Sequence, residues 1–550
     1  MDIYPVKAQY LTNEEVLIHF EFEGVQVDSI SLSVYQLENL VCQVTLNTPK
    51  LDSDVSIGTF RETFAGFGVN ASVCIGDKTT VLETAFDVVD NPKRSLRYGF
   101  LSDFTDADID NGAIESLRKY HINMVQFYDW SYRHDSLVSD DAEYDDMMGK
   151  HISAASIRSK IQKGLSLGMH SIAYGAVYAA SEKFYREHPE WGFYNSEQEP
   201  FVFIDVFYIM NIEADSPWRS HLLQQYRNAV AQMGFAGIHM DTYGFPKTAY
   251  SHLHGRQKLV KLDQEFPSLI HDARTALLNE TPDPYLIFNN VGNWPVRATA
   301  ASAQDAVYVE VWNPYERYSH IAQIVQQARI YGGTEKPVIL AAYMKPFQDE
   351  GLYLGAAEAA YILTAAIVSQ GAYHLLLGER NAVLTQGYYS DYTQLRPAEA
   401  ARMRRYYDFM VRYLNLFYDP ALHDVSMTHI GWDNYEYTCT SHAISPYGEA
   451  GKIWVTIKEC DSRKCIYLVN LSGCPDDYWN KEKPVPVPQA DIQFTVQVDN
   501  SVKGIYTATP DSDSALCREL DFTEMAAPQG KFVKFTLPEL LVWSVVWIEL

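Results

Sequence analysis

Through the middle of this sequence, apolar runs of strand length alternate with segments of helical periodicity, and this alternation limits the possible folds more than any other pattern in the chain. Near-continuous apolar runs are typical of parallel strands that are buried on both faces. The eight predicted strands centre on Tyr98–Leu101, Met124–Tyr128, Ser171–Gly175, Gly237–Met240, Leu286–Asn289, Val307–Val311, Val338–Ala342 and Tyr373–Leu377. The predicted helices are Ile114–Tyr120, Ile157–Leu167, Leu222–Met233, Leu259–Leu278, Ile321–Tyr331, Ala356–Val368 and, after the eighth strand, Ala398–Leu416.

Eight strand–helix units of this length favour a closed (β/α)8 TIM barrel within an α/β chain, over residues 95–418. A doubly wound open sheet is the alternative, and the absence of a glycine-rich dinucleotide turn after the first strand weighs against it. On either side the sequence changes to short strands separated by turn residues, which predicts a small β-sandwich over residues 1–94 and a second, antiparallel β-domain over residues 419–550.

Charge and segment composition exclude several partners. The chain has 70 acidic and 44 basic residues, a net charge of −26, so nucleic acid and anionic membrane surfaces are not expected to bind it. The apolar stretch near Ala356–Leu377 is interrupted by polar residues, which argues against a membrane span. The N-terminus lacks the pattern of a signal peptide, so a cytoplasmic location is expected, or a secreted one if a leader has been removed. The seven cysteines indicate neither a disulfide framework nor, by their spacing, a zinc site.

A barrel carries its reactive groups at the carboxyl ends of its strands. In this sequence those positions hold carboxylates, amides and aromatic side chains, and each carboxylate is costly to bury unless it is paired or hydrogen-bonded. The residues at the predicted strand ends are Ser102, Asp103, Asp129, Trp130, Asp241, Asn289, Asn290, Glu310, Trp312, Asn313 and Glu379.

Three chemistries could use such a ring of groups. A metal hydrolase would recruit His239 or His374 beside Asp241, but a lone histidine in a barrel strand is more often a hydrogen-bonded interior residue. Phosphate chemistry lacks a glycine-rich cradle. Glycoside hydrolysis needs only two carboxylates and aromatic walls that stack on sugar rings, with neither metal nor cofactor, and Asp241 and Glu310 lie on the same predicted rim.

Five segments of this sequence resemble glycoside hydrolase family 66, which contains the dextranases and the cyclodextran-forming glucanotransferases. They are Arg97-Tyr98-Gly99-Phe100, Gln126-Phe127-Tyr128-Asp129-Trp130 followed by Tyr132-Arg133-His134, Gly237-Ile238-His239-Met240-Asp241, Tyr308-Val309-Glu310-Val311-Trp312, and His374-Leu375-Leu376-Leu377-Gly378-Glu379. The resemblance covers essentially the whole chain, and it implies an N-terminal immunoglobulin-like domain and a C-terminal β-domain around the barrel.

By this resemblance Asp241 is expected to be the nucleophile and Glu310 the general acid/base of a retaining mechanism on the α-1,6-glucan of dextran or isomaltooligosaccharides. Apolar neighbours of Glu310 are expected to raise the pKa of its carboxyl group, so that it stays protonated and can act as the general acid. The expected substrate-binding residues are Tyr128, Asp129, Trp130, Asp103, His239, Tyr243, Asn290, Trp312, Asn313, His374, Glu379 and Tyr388, with Tyr315 and Tyr389 as further candidates for stacking on sugars.

The sequence leaves several alternatives open. Glu310 could be paired with Arg317, Asp241 could cap a helix, and each aromatic residue could be packing at the rim. The cyclodextran-forming members of the family carry an inserted carbohydrate-binding module between strands seven and eight, where this chain has only a short link. Hydrolysis is therefore expected rather than cyclisation, with a transglycosylase and a non-catalytic glucan-binding protein as the other candidates.

Overall fold

A computed structural model describes residues 1–47, 49, 52–110 and 112–550, and it begins with strands alone. Buried Val16, Ile18 and Phe20 alternate with more exposed neighbours in one of these strands, because successive side chains of a strand point to opposite faces. Two sheets, with the orders 1-3-6 and 2-8-7-4-5, enclose a core of their own. The strands are β1 (Asp2–Pro5), β2 (Tyr10–Leu11), β3 (Glu15–Glu21), β4 (Ser29–Gln36), β5 (Asn39–Asn47), β6 (Ser53–Thr59), β7 (Phe64–Ile75) and β8 (Lys78–Val89).

The middle of the chain contains the long parallel series and several short hairpins. Its strands are β9 (Tyr98–Leu101), β10 (Met124–Phe127), β11 (Glu143–Asp145), β12 (His151–Ser153), β13 (His170–Ala176), β14 (Ala179–Ala180), β15 (Phe193–Tyr194), β16 (Val202–Phe203), β17 (Phe207–Ile209), β18 (Gly237–Asp241), β19 (Thr248–Ser251), β20 (Lys258–Lys261), β21 (Tyr285–Val291), β22 (Ala306–Glu310), β23 (Val338–Ala341), β24 (Tyr373–His374), β25 (Leu377–Gly378), β26 (Ala382–Val383) and β27 (Thr393–Gln394).

The predicted strands of the barrel pair side by side in sequence order. β9, β10, β13, β18, β21, β22, β23 and β24 form a continuous parallel series. The eighth predicted strand is divided into two short strands: β24 pairs with β23, and β25 pairs in parallel with β9 through Gly378 and Phe100. Residues 373–378 therefore contact strands at both ends of the series, and the α/β class is confirmed.

Helices with apolar faces pack around this sheet and against the strands on either side of it. The helices are α1 (Gly112–Arg118), α2 (Ala154–Ser166), α3 (Glu182–Glu187), α4 (Pro217–Asn228), α5 (Leu262–Leu277), α6 (Val296–Thr299), α7 (Tyr318–Gly332), α8 (Tyr353–Ser369), α9 (Pro397–Arg412), α10 (Leu414–Phe417) and α11 (Ser426–His429). In α5 the buried residues Leu262, Phe266, Leu269, Ile270 and Ala273 recur at helical spacing. The prediction that this helix begins at Leu259 is wrong, because residues 258–261 pair with β19 as a strand.

Helix α8 is apolar on every side because the fold covers every side. The stretch Glu350–Ser369, which includes α8, is long and apolar enough to span a membrane, but 72% of its most apolar window is buried inside the protein. Its C-terminal residue Ser369 accepts a hydrogen bond from the indole of Trp543 in the C-terminal part of the chain. The helix is thus enclosed between the parallel sheet and the C-terminal strands, as a core helix would be.

The C-terminal part of the chain forms two antiparallel sheets around another buried cluster. Its strands are β28 (His423–Asp424), β29 (Tyr437–Cys439), β30 (Ile444–Ser445), β31 (Ile453–Cys460), β32 (Arg463–Asn470), β33 (Gln489–Val498), β34 (Gly504–Ala508), β35 (Arg518–Glu519), β36 (Phe522–Ala527), β37 (Gly530–Leu540) and β38 (Trp543–Glu549). Trp454, Tyr467 and Trp543 join the large central core instead. The domain boundaries near residues 94 and 418 stay predictions.

Candidate active site

Asp241 and Glu310 line one cavity of about 340 Å³. Asp241 is the last residue of β18 and Glu310 the last of β22, with β21 between them. Because parallel strands present their carboxyl ends at one edge, two carboxylates that are distant in sequence reach the same opening.

Asn289 on the intervening strand β21 connects the two acids. Its Nδ2 donates to Asp241 Oδ1 at 2.7 Å and to Glu310 Oε2 at 3.0 Å. Since both oxygens contact one nitrogen, they cannot be farther apart than those two distances together, about 6 Å at most. Retaining glycosidases hold their carboxyl groups about 5–5.5 Å apart and inverting ones about 6.5–9.5 Å, so the separation suits a retaining pair.

Each carboxylate also has a tyrosine partner. Tyr174 donates its hydroxyl to Asp241 Oδ2 at 2.8 Å, and Tyr343 donates its hydroxyl to Glu310 Oε1 at 2.6 Å. Tyr389 stands 3.4 Å from the Tyr343 hydroxyl and stacks on the ring of Tyr128 at 4.3 Å. These contacts fix both acids in a wall of aromatic rings.

Burial and mutual repulsion set the protonation of the pair. Burial, followed by the charge of Glu310, raises the pKa of Asp241 to about 7. Burial also raises the pKa of Glu310, against the hydrogen bonds from Tyr343 and Asn289. Two buried carboxylates this close cannot both ionise readily, so the pair retains one proton near neutral pH. One base and one acid in a single cavity is the state that two-carboxylate glycoside chemistry requires.

Other predicted residues lie in the same cavity. These are Tyr128, His239, Tyr243, Trp312, Tyr388 and Tyr389. Trp312 is 43% exposed and meets the ring of Tyr343 edge to face, so a flat apolar surface faces the opening. Gly387 faces the same groups, and a Cβ there would come within 3.3 Å of Glu310 Oε1 and of Trp312, so a larger residue would require these side chains to shift by a few tenths of an ångström.

Two predicted binding residues are packed in the interior instead. Trp130 is fully buried, donates its indole N–H to the Tyr174 carbonyl at 3.0 Å, and packs against Phe235. Asn290 is fully buried and donates to the Tyr308 carbonyl at 2.8 Å. Neighbouring strand residues point to opposite faces, and Asn289 rather than Asn290 is the one that lines the cavity.

Glu379 and His374 are also structural. Glu379 is fully buried, accepts hydrogen bonds from the backbone N–H groups of Ser102 and Asp103, and forms an ion pair with buried Lys160 at 3.3 Å. His374 is held between the Thr364 hydroxyl and the Ala342 carbonyl. Neither side chain lines the carboxylate cavity. Their hydrogen-bond and ion-pair partners come from neighbouring helices and loops.

Four more predicted residues lie outside the carboxylate cavity. Asp103 pairs with Lys150 at 3.2 Å and accepts the Tyr392 hydroxyl at 2.7 Å. Asn313 lines the adjoining, larger cavity, as does Tyr315. Asp129 adopts a positive φ of 49°, and burial together with the charge of Asp146 raises the pKa of its carboxyl group to about 8. It lies close enough to Asp241 for their charges to interact, although it does not line the cavity.

His239 faces the cavity as a neutral side chain. Its Nδ1 is 2.8 Å from the Tyr98 hydroxyl, and burial lowers the pKa of its imidazole to about 3. In the described part of the chain, no group of three or more His, Cys, Asp or Glu side chains could hold a metal ion. Arg317 pairs with Asp477 rather than with Glu310, and Asp241 is bound by Tyr174 and Asn289 at a strand end.

Sequence reasoning missed the residues that hold the acids in place. Asn289, Tyr174 and Tyr343 were not among the predicted site residues, although Asn289 ends a predicted strand. Tyr343 follows β23 by two residues, as Trp312 follows β22, so its position after a strand end was the available signal. Tyr174 lies inside an apolar run, so the sequence carried no signal for its role.

Comparison with known proteins identifies relatives along the whole chain. The sequence model of glycosyl hydrolase family 66 matches residues 5–547. A cycloisomaltooligosaccharide glucanotransferase of Niallia circulans is 22% identical over an alignment covering 100% of this chain and 71% of that protein. A dextranase of Streptococcus salivarius is 20% identical over 61% of this chain and 46% of its own length.

A solved structure matches the fold closely. The cycloisomaltooligosaccharide glucanotransferase of a Paenibacillus species, complexed with cycloisomaltoheptaose, gives a TM-score of 0.89 at 21% sequence identity, covering 100% of this chain and 99% of that one. At this level of identity the likeness shows the fold alone.

Proposed function

The chain belongs to glycosyl hydrolase family 66, and from this premise we propose that it is a retaining enzyme that cleaves α-1,6-glucosidic linkages of dextran or isomaltooligosaccharides. The observation that carries the proposal is the pair of carboxylates, Asp241 and Glu310, joined through one amide nitrogen of Asn289 at the separation of a retaining pair. The substrate class rests on the family and on the activities named for its relatives.

The proposed reaction has two steps. Asp241 attacks C1 of the bound glucosyl unit while Glu310 gives its proton to the departing glycosidic oxygen, which leaves a covalent glucosyl–enzyme ester. Glu310, now ionised, takes a proton from the incoming hydroxyl, whose oxygen bonds to C1 and releases Asp241. Asn289 and one tyrosine donate to each carboxylate alike, so the assignment of Asp241 as the nucleophile rests on the family resemblance.

The proposed scaffold is a closed (β/α)8 barrel with the acids at its mouth. The parallel series from β9 to β24, and the pairing of β25 with β9, support closure. The division of the eighth strand is compatible with a barrel because Leu375, between β24 and β25, donates its N–H to the Leu340 carbonyl at 2.9 Å.

Transfer of the glucosyl unit to another sugar is the second candidate. The Niallia and Paenibacillus relatives are named as glucanotransferases, which favours it. The link between β23 and α8 consists of short turns, Lys345–Gln348 and Glu350–Leu352, with no inserted domain. The Niallia alignment spans 710 positions against 550 residues here, so that relative has segments that this chain lacks. We therefore propose hydrolysis as the main reaction, with endo-dextranase action.

Product analysis tests the proposal. Incubation with dextran and with isomaltooligosaccharides is expected to release linear, shorter α-1,6 chains whose new reducing ends appear first as the α-anomer by proton NMR, since two inversions give net retention. Predominantly cyclic products by chromatography would make the glucanotransferase reading the correct one. A β-anomer as the first product, or no cleavage of either substrate, would contradict the proposal.

Tyr343→Phe is expected to shift the alkaline limb of the pH profile of kcat/KM upward by about one unit. The Tyr343 hydroxyl stabilises the ionised form of Glu310, so its removal raises the pKa of the acid, which then stays protonated to higher pH. Tyr389→Phe is the matched control, because the Tyr389 hydroxyl contacts other tyrosines and not Glu310. An alkaline limb that stays in place or moves downward would refute this role for Tyr343.

A further inference from the structure

A second cavity of about 710 Å³ opens beside the carboxylate cavity and has about twice its volume. Both volumes fall in the range of about 300–1,000 Å³ found for small-molecule sites. Aromatic rings and side-chain amides dominate the lining, among them Trp312, Tyr478, Asn313, Gln348 and Asn480. Aromatic faces pack on the apolar faces of sugar rings, and amides both donate to and accept from hydroxyl groups. This composition suits a neutral, polyhydroxylated chain.

The contacts of the second cavity indicate on which side of the two acids it lies. It shares Trp312 and Tyr343 with the carboxylate cavity, and Tyr343 is the hydrogen-bond partner of Glu310. Asp241, Tyr174 and Glu310 all line only the smaller cavity, so Tyr343 is the contact that places the larger cavity on the side of Glu310. Because the general acid protonates the oxygen between the attacked sugar and the leaving group, the leaving group lies on the side of Glu310. The larger cavity extends from that side.

One wall of this cavity comes from a distant part of the sequence, residues 478–481 within the segment 476–481 of the C-terminal region. This segment is fixed to the loop after β22 by backbone hydrogen bonds, from Trp479 N–H to the Glu316 carbonyl at 3.1 Å and from Tyr318 N–H to the Asp477 carbonyl at 3.0 Å. The indole of Trp479 donates to the Tyr315 carbonyl at 2.7 Å.

Side chains of the segment are fixed as well. The guanidinium group of Arg317 lies over the ring of Tyr478, 4.7 Å from its centre, and Asn480 Oδ1 accepts the backbone N–H of Lys345 at 3.0 Å. The wall is therefore a defined surface that is in place before a ligand arrives, which reduces the entropy lost on binding.

We propose that this cavity binds the leaving-group side of the α-glucan, and that residues 476–481 recognise the sugar which later serves as acceptor. The proposal rests on the proposed function and deepens it. In the first step the departing chain occupies the cavity and receives the proton of Glu310. In the second, a sugar hydroxyl bound there returns a proton to Glu310 as its oxygen bonds to C1 and the Asp241 ester breaks. An empty cavity leaves water as the acceptor, so occupancy sets the ratio of transfer to hydrolysis.

Tyr478→Ala and Asn480→Ala test the proposal, with Tyr435→Ala as the matched control. Tyr435 is a 43% exposed tyrosine of the same C-terminal region that lines neither cavity. Two substrates are compared: a long isomaltooligosaccharide, whose leaving group fills the cavity, and α-isomaltosyl fluoride, whose leaving group is a single atom. Each test variant is expected to lower kcat/KM for the oligosaccharide about tenfold relative to the fluoride, and to lower the transfer-to-hydrolysis ratio severalfold when an acceptor is added. The control is expected to change neither ratio.

The result that overturns the proposal is an equal effect on the two substrates, no effect on either, or the same effect in Tyr435→Ala. A binding measurement separates this failure from failure of the proposed function. Isothermal titration of Glu310→Gln protein with isomaltooligosaccharides is expected to show affinity that falls about tenfold when Tyr478→Ala is added. If the native enzyme cleaves no α-1,6-glucan, that loss of affinity still supports a sugar site in the cavity, and unchanged or absent binding overturns it.

Discussion

Asp241→Asn is expected to lower kcat/KM on dextran by about 10⁴-fold or more, and to abolish the release of fluoride from α-isomaltosyl fluoride as well. The substitution keeps the shape of the side chain but removes the oxygen nucleophile, and an activated leaving group cannot replace a nucleophile. Loss on both substrates is therefore the signature of this role, measured by reducing-sugar release and by a fluoride electrode.

Glu310→Gln is expected to separate the two steps. On dextran the substitution is expected to lower kcat/KM by about 10²–10⁴-fold, because an unactivated sugar oxygen leaves slowly without a proton. On α-isomaltosyl fluoride the first turnover should remain fast and appear as a burst of fluoride, since fluoride needs no acid, followed by a slow steady state because no base activates the acceptor. The absence of such a burst, with fluoride release lost as completely as in Asp241→Asn, would contradict the assignment of Glu310.

Two controls accompany these variants. Asp103→Asn changes a carboxylate that pairs with Lys150 outside the cavity, and is expected to keep dextran cleavage within about tenfold of the native rate. Asp241→Asn itself is expected to leave the thermal midpoint unchanged or to raise it, because it removes a carboxylate whose burial raises its pKa to about 7. Unfolding of this variant, or dextran cleavage within about tenfold of the native rate, would refute the site as assigned.

Arg97→Met is expected to lower the free energy of unfolding by about 3–5 kcal/mol, a large fraction of the stability of an ordinary domain. Arg97 is 1% exposed and forms a two-pronged ion pair with fully buried Asp87, which connects β8 to the residue before β9. It also donates to the Ala8 and His121 carbonyls. Without the guanidinium group, the Asp87 carboxylate stays buried with Gln9 as its remaining side-chain partner, and an uncompensated buried charge is strongly destabilising.

The urea midpoint measures this effect, with Arg94→Ala as the control. Arg94 forms an ion pair with Asp90, four residues earlier in the chain, but both side chains are partly exposed, so loss of the pair is expected to cost about 0–1 kcal/mol of stability. Adding Asp87→Leu to Arg97→Met is expected to restore part of the lost stability, because the second change removes the stranded charge. An Arg97→Met protein as stable as Arg94→Ala would show that the buried pair contributes little.

Arg97 also illustrates a limit of motif reading. It belongs to one of the segments that carry the family resemblance, next to Tyr98, whose hydroxyl contacts His239 at the cavity. Its own side chain points away from the cavity, toward Asp87 in the N-terminal strands. The motif therefore identified a segment that reaches the cavity, but it did not identify the role of Arg97. Successive residues along an extended segment face opposite sides.

The sequence alone determined the order of the eight parallel strands, most of the helices between them, and the positions of the two acids. Buried parallel strands are apolar along their whole length, so a short stretch of sequence is enough to predict each one. The residues at the carboxyl ends of these strands lie at a common edge of the sheet. Asp241 and Glu310 could be selected on that basis, and their catalytic roles stay a prediction until the variants are measured.

Only the tertiary structure decided which rim residues face the cavity and which are covered. Trp130 and Glu379 lie near strand ends as the two acids do, yet Phe235, from a loop, and Lys160, from helix α2, enclose them. Asn289 rather than Asn290 bridges the acids because of the register of one strand, and residues 476–481 reach the second cavity through hydrogen bonds to a loop far away in sequence. Such contacts depend on what distant segments bring to one place, and no local pattern encodes that.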